Sequence, residues 1–271
     1  MNTVYVYGDS FASASTPIQN LDWPSRFAIK LGCKIKNKAM TGGSTEHALK
    51  CLLEDYERFV DGDVVVFCRS TPGRLKLEFQ KERPETAAVY LHPVSDYKLP
   101  KHEWYRENKK YLEWFVANQD GYIETVTHEA MTHLVRNIAE KLPKVTFIFL
   151  MNSNITVNVS FAKELDNFLR PNIELLTICN EELISDKPET AYYNWIKKTQ
   201  IDLRDNHMSI PNLEILSNML VEAVKTKKVD HISMDKFKKN LLKPVNTIQQ
   251  YMDYVNAGLL PYQDWKVEHL R

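Results

Sequence analysis

The chain predicts an α/β sandwich with a mainly parallel sheet. Three observations predict it. The apolar runs at 4–7, 63–68 and 145–151 are continuous rather than alternating, as in strands covered on both faces. Segments with apolar residues at helical spacing separate them. Strand and helix patterns then alternate along most of the chain, the rhythm of βαβ units.

Val4 to Tyr7 starts the fold as a strand and stops at Gly8-Asp9-Ser10. Trp23 to Leu31 carries Trp23, Phe27, Ala28 and Leu31 at helical spacing, with Pro24 in the first turn and Gly32 at the end. "CKIKNKAM" is extended, and its alternating Lys34, Lys36 and Lys38 read as a solvated or edge face. After "TGGST", residues 46–59 read as a helix with Leu49, Leu52, Leu53 and Tyr56 on one face. "DVVVFC" and "VTFIFLM" are buried strands, and 121–142 between them is a long amphipathic helix ending before Pro143. "IELLTI" (173–178) reads as a further strand, and 209–224 as a helix with Leu213, Leu216, Met219 and Leu220 inward. Two segments break the rhythm. Residues 76–119, rich in charge and aromatics, read as an insertion, since a loop this long has its own structure or a function. Its aromatics pack the insertion onto the core or form a substrate platform. Residues 226–271 form an extension that docks on the domain or on a partner chain of a homo-oligomer. The expected division is 1–225 and 226–271.

The 271 residues suffice for a full core, with 44% apolar and 26% charged residues. Lys plus Arg and Asp plus Glu both total 35, a balance that gives no support for a nucleic-acid or membrane-surface partner. No window approaches the roughly 20 apolar residues of a membrane span. No signal peptide is visible, and Cys33, Cys51, Cys68 and Cys179 form no CxxC or zinc spacing, so a cytoplasmic protein with free thiols is expected. His128 and His133 stand five apart rather than four, so a metal helix is not expected.

Ligands of open α/β sheets bind outside the carboxyl ends of the strands. Those ends carry Gly8, Asp9 and Ser10; then Asn37, Gly42, Gly43, Ser44 and Thr45; then Arg69, Ser70, Thr71 and Arg74; then Asn152, Ser153 and Asn154. "DLRDNHMS" precedes the last core helix. A serine needs a base within hydrogen-bond reach, and the base needs an orienting acid. His207 is the histidine beside a carboxylate at such a junction, with Asp205 two residues before it. Ser10 and Gly42 backbone N–H groups are candidates for stabilising an oxyanion. Taken singly, these groups also read as turn and cap residues.

"YGDSFAS" after a first strand, "NKAMTGGST" after a helix and "DNHMS" before a C-terminal helix together resemble the SGNH, or GDSL-type, hydrolase superfamily. The resemblance covers roughly 3–75 and 120–225. It implies a three-layer α/β/α sandwich with a flavodoxin-like sheet, here with an inserted cap and a C-terminal extension. It implies Ser10 as nucleophile, His207 as base, Asp205 as its acid and Gly42 as a backbone oxyanion donor, with no metal or organic cofactor. The substrate is then an ester, such as an O-acetyl group on a carbohydrate or similar small molecule. Proteins of this kind occur in bacteriophages as well as in cells. Two departures stand out. The family's Gly-x-Asn-Asp block is replaced by "CRSTPGR", which leaves Ser70 or Thr71 as hydroxyl donors and Arg74 facing the pocket; Asn152 and Asn154 are further candidates. The usual Asp-x-x-His is replaced by Asp-x-His, with Asp202 as a fallback acid. The rival expectations are a non-catalytic binding or assembly protein on the same fold, and an acyltransferase or phosphate-ester enzyme whose Arg69 or Arg74 holds an anion.

Overall fold

A computed structural model describes residues 1–14, 22–70, 74–75, 89–90, 121–152, 164–187, 191–192, 194–195 and 202–270. The strands are β1 (Thr3–Tyr7), β2 (Lys34–Asn37), β3 (Val64–Arg69), β4 (Arg74–Leu75), β5 (Val89–Tyr90), β6 (Thr146–Met151) and β7 (Phe168–Leu169). The helices are α1 (Trp23–Lys30), α2 (Thr45–Asp55), α3 (Gly121–Lys141), α4 (Leu175–Glu181), α5 (Ile210–Thr226), α6 (Ile248–Asn256) and α7 (Asp264–His269). The main sheet runs β2-β1-β3-β6-β7 with every pairing parallel, and β4 and β5 form a separate antiparallel pair. Without that pair, the strand order is the 2-1-3-4-5 of flavodoxin-like sheets.

Alternation along each strand makes the layers. Val4, Val6, Val64, Val66, Cys68, Ile148 and Leu150 pack with Phe27 and Ala28 of α1 and Leu213, Leu216 and Leu220 of α5. Tyr5, Tyr7, Val65, Phe67, Phe147 and Phe149 pack with Ala48 and Leu52 of α2 and Val135, Ile138 and Ala139 of α3. Both faces are buried, which is why the strands read as unbroken apolar runs. Local chemistry sets the helix ends. Asp22 accepts the Ser25 N–H at the start of α1 (2.8 Å), and Ser44 accepts the His47 N–H at the start of α2 (3.3 Å).

One expectation changes. Residues 173–178 do not form a strand: Glu174 makes one parallel bridge to Met151, and α4 then begins. Leu175, Ile178 and Cys179 are buried at i, i+3 and i+4, and a short apolar run cannot distinguish that pattern from a strand. The fifth strand is Phe168–Leu169 instead. Lys34 and Lys36 lie on the edge strand β2, as expected, and Lys36 and Lys38, the residue after β2, are ion-paired with buried Asp55 at 2.7 and 2.8 Å. Desolvation works against the Asp55 charge, and the two lysines and the Tyr7 hydroxyl outweigh it, holding the carboxyl below its ordinary range. The segment beyond 226 packs on the domain, one of its two expected placements. Leu242, Val245, Tyr251 and Leu260 share a buried cluster with Leu183, Ala191, Trp195 and Leu203. Of the insertion at 76–119, only Val89–Tyr90 lies within the described residues. Among the described residues no helix is long and apolar enough to cross a membrane. All four cysteines are free thiols.

Candidate active site

The first half of the site is the turn after β1. A Cβ on Gly8 would stand 2.7 Å from Cys68 Cβ, so β1 and β3 can approach this closely only with glycine there. Asp9 is fully buried and organises the turn. It accepts the Phe11 N–H (3.0 Å), the Ser70 hydroxyl (2.8 Å) and the Asn152 amide (2.6 Å). Its carbonyl accepts the N–H groups of Ala12 and Ser13. Ser10 thus sits on a hydrogen-bonded turn; among the described residues the first helix begins at Trp23.

The second half is a tight turn at 205–208, closed by Met208 N–H to Asp205 O at 2.9 Å. Its two central residues, Asn206 and His207, have φ of +45° and +60°. Left-handed backbone at two adjacent non-glycine residues is unfavourable and persists only where the surroundings hold it. Here the Asn206 side chain holds it. Its amide donates to Ser10 O (3.2 Å) and Ser13 O (2.7 Å), and its oxygen accepts the Trp23 N–H (3.3 Å). The two turns are therefore joined directly, although 196 positions separate Ser10 from Asn206.

That union brings Ser10 Oγ to 2.8 Å from His207 Nε2. On the other side of the ring, Nδ1 lies 2.9 Å from Asp202 Oδ2. A carboxylate can only accept, so Nδ1 carries the proton and Nε2 is left to accept from Ser10. Phe11 and Tyr192 flank the imidazole at ring-centroid distances of 4.6 and 5.1 Å.

Asp205, the acid expected from spacing, does not meet the imidazole. As the first residue of the turn it points to the C-terminal extension, where Gln263 Nε2 donates to it (3.3 Å) and Lys266 Nζ stands at 3.5 Å. Asp202 takes its place. Arg204 forks Asp202 through Nε and Nη2, both at 3.0 Å, and donates from Nη1 to Cys179 O and to Glu182. Burial works against the Asp202 charge; Arg204 and His207 outweigh it and hold the carboxyl well below the usual range. Glu182 in turn accepts the Ser209 N–H and hydroxyl and the Asn212 amide, so its carboxylate caps α5. Burial pushes the Glu182 pKa up. A chain of groups, Glu182 and Arg204 buried and Asp202 and His207 half-buried, ends on the Ser10 oxygen.

The expected oxyanion donors divide. The N–H groups of Ser10 and Gly42 have no acceptor among the described residues. Gly42 holds φ +74° in a turn closed by Gly43 N–H to Met40 O, the conformation a type II turn demands. Met40 N–H donates to Gly8 O, and the Thr41 and Ser13 hydroxyls are 3.1 Å apart, so this turn lies against that of Ser10. Ser70 does not fill the third place, because its hydroxyl is committed to Asp9. Asn152 gives one of its two amide N–H groups to Asp9 as well. Thr71 and Asn154 lie outside the described residues, and Arg74 is described only as backbone in β4.

Sequence reasoning placed Asp202 second and missed Arg204, Glu182 and Asn206. One signal was present. In an extended segment, residues 202 and 204 project to the same side, where a guanidinium can fork a carboxylate. Nothing local pointed to Glu182. Among the described residues no cluster of three His, Cys, Asp or Glu side chains could hold a metal ion. A shallow groove beside Leu49, Leu53 and Met131, between α2 and α3, includes none of the residues above. No protein-family model and no curated protein matches this chain.

Proposed function

We propose that this chain is a serine ester hydrolase of the SGNH type, acting on a short acyl ester of a carbohydrate or similar polar alcohol. One observation carries the reading: Ser10 Oγ and Asp202 Oδ2 stand on opposite nitrogens of His207, at 2.8 and 2.9 Å. The parallel sheet order and the position of the His207 turn just before α5 add to it. Ser10 Oγ attacks the ester carbonyl while Nε2 takes its proton. Asp202, fixed by Arg204, keeps Nδ1 protonated and faces the imidazolium that forms. The Ser10 and Gly42 N–H groups receive the oxyanion. The imidazolium returns the proton to the leaving alcohol. Water, deprotonated by the same nitrogen, attacks the acyl carbon, and as the acid leaves the imidazolium returns that proton to Ser10 Oγ.

A fluorophosphonate reporter tests this directly. Labelling at Ser10, absent from Ser10→Ala, together with hydrolysis of p-nitrophenyl acetate, is the expected result. A folded protein that neither labels nor hydrolyses overturns it. The commitment of Ser70 and Asn152 to Asp9 favours a second reading, a binding or assembly protein on the same scaffold. That null result would select it.

A further inference from the structure

Burying a guanidinium without a counter-charge is strongly unfavourable, and proteins that do so supply a partner or bind one. Arg69 is such a group. It is the last residue of β3 and only 2% exposed. It alternates with Val65 and Phe67, on the side of the sheet that α2 and α3 cover. Its Nε and Nη2 are buried and have no acceptor among the described residues. Met151 of β6 is its partner in register, and Arg170, just after β7, places Nη2 3.9 Å from the Met151 sulfur. His128 of α3 is 5% exposed, and its buried Nδ1 is also without a partner among the described residues.

The electrostatics agree with this geometry. Burial and the Arg170 charge push Arg69 down to about 10, and burial and the Arg69 charge push His128 down to about 4. Two cations and a neutral imidazole therefore share one corner, and among the described residues no carboxylate answers Arg69. The corner is at the carboxyl rim of the sheet, one strand from the nucleophile. Tyr7, three residues before Ser10, pairs with Phe67, two residues before Arg69.

We propose that Arg69, with Arg170 and His128 beside it, binds a phosphate or carboxylate group, and that this group is carried by the ester on which Ser10 acts. The second half rests on the hydrolase reading; the first does not. A fork of guanidinium N–H groups suits either oxyanion, and the neutral imidazole adds one donor.

Thermal unfolding in sodium phosphate, against sodium chloride at equal ionic strength, tests the site. Phosphate at low millimolar concentration should give a saturable rise in Tm for the wild type and for Ser10→Ala. Arg69→Met should lose that rise and should start from a higher Tm in chloride, because its uncompensated charge is gone. Arg170→Gln should weaken phosphate binding about 10–100-fold. No saturable rise in the wild type, or an undiminished one in Arg69→Met, overturns the site; the wild-type titration decides even if Arg69→Met does not fold. The source of the anion is read separately. A substrate-borne anion predicts that kcat/KM for mono-p-nitrophenyl succinate exceeds that for p-nitrophenyl butyrate about 10–100-fold, with the ratio falling in Arg69→Met. Phosphate should inhibit the succinate ester competitively. Phosphate binding without that preference overturns the substrate half and assigns the site to a free anion. Phosphate binding with no ester hydrolysed sinks the hydrolase reading and leaves the site standing.

Discussion

Asp202 and Asp205 carry the same carboxylate three residues apart, and their neighbours give them opposite tasks. Asp202 faces the imidazole, forked by Arg204; Asp205 faces Gln263 and Lys266. Under the proposed mechanism, Asp202→Asn should lower kcat about 10³–10⁴-fold, because an amide can stabilise the wrong tautomer. Asp205→Asn should act mainly on stability. It leaves the Lys266 ammonium buried beside a neutral group, at a cost of about 3–5 kcal/mol by chemical denaturation. The reverse result, activity lost with Asp205 and kept without Asp202, would reassign the acid. The pH dependence has a definite sign. The Asp202 pKa is lower in the folded protein than in the unfolded chain. The resulting stability is fully present above the unfolded value of about 4 and is lost as pH falls below it toward the folded value. Acid unfolding of Asp202→Asn should therefore show a smaller stability change over that window than the wild type.

At the level of the element, the turns matter more than the helices and strands they join. The 205–208 turn is left-handed at Asn206 and His207, and the Asn206 side chain ties it to the Ser10 turn. Asn206→Ala removes those bonds and sets a Cβ residue in the same left-handed conformation without them. A loss of about 2–4 kcal/mol is expected, together with slower fluorophosphonate labelling of Ser10. Asn206→Gly should recover part of the stability and little of the labelling rate, since glycine tolerates the backbone but cannot hold the other turn. Equal recovery of both would show that conformation alone sets the site. Gly8→Ala tests the β1–β3 approach, where the clash with Cys68 should destabilise by about 1–3 kcal/mol. These turns were partly legible beforehand, because Gly-Asp-Ser and Asp-Asn-His are turn compositions. The 173–178 run was not, since six apolar-rich residues fit a strand and a half-buried helix equally well.

Across the whole molecule, the C-terminal extension is built into the core rather than appended to it. Tyr251 is fully buried, and its hydroxyl donates to Pro261 O and accepts the Gln263 N–H. Lys266 reaches back to donate to Leu203 O at 2.6 Å, one residue from Asp202. A chain ending at residue 246 loses Tyr251, Leu260, Gln263 and Lys266, and so uncovers Leu203 and the Asp205 carboxylate. Its Tm should fall, and Ser10 labelling should slow even below the melting transition. An unchanged labelling rate in a folded truncation would show that the extension supports the fold alone. The same dependence explains why spacing favoured Asp205. Its partners lie 58 and 61 residues downstream, beyond anything local pattern can register.

By itself the sequence determined the layered α/β architecture and the pairing of an early serine with a late histidine. The first follows from apolar periodicity, a local property of the chain; the second follows from the residue types at the strand ends and their resemblance to a known family. Only the tertiary structure decided which acid serves the imidazole, which hydroxyl and amide are diverted to Asp9, and where the extension lies. Those outcomes depend on the direction in which a buried carboxylate points. That direction is set by Arg204, Gln263 and Lys266 competing for it across a shared interior.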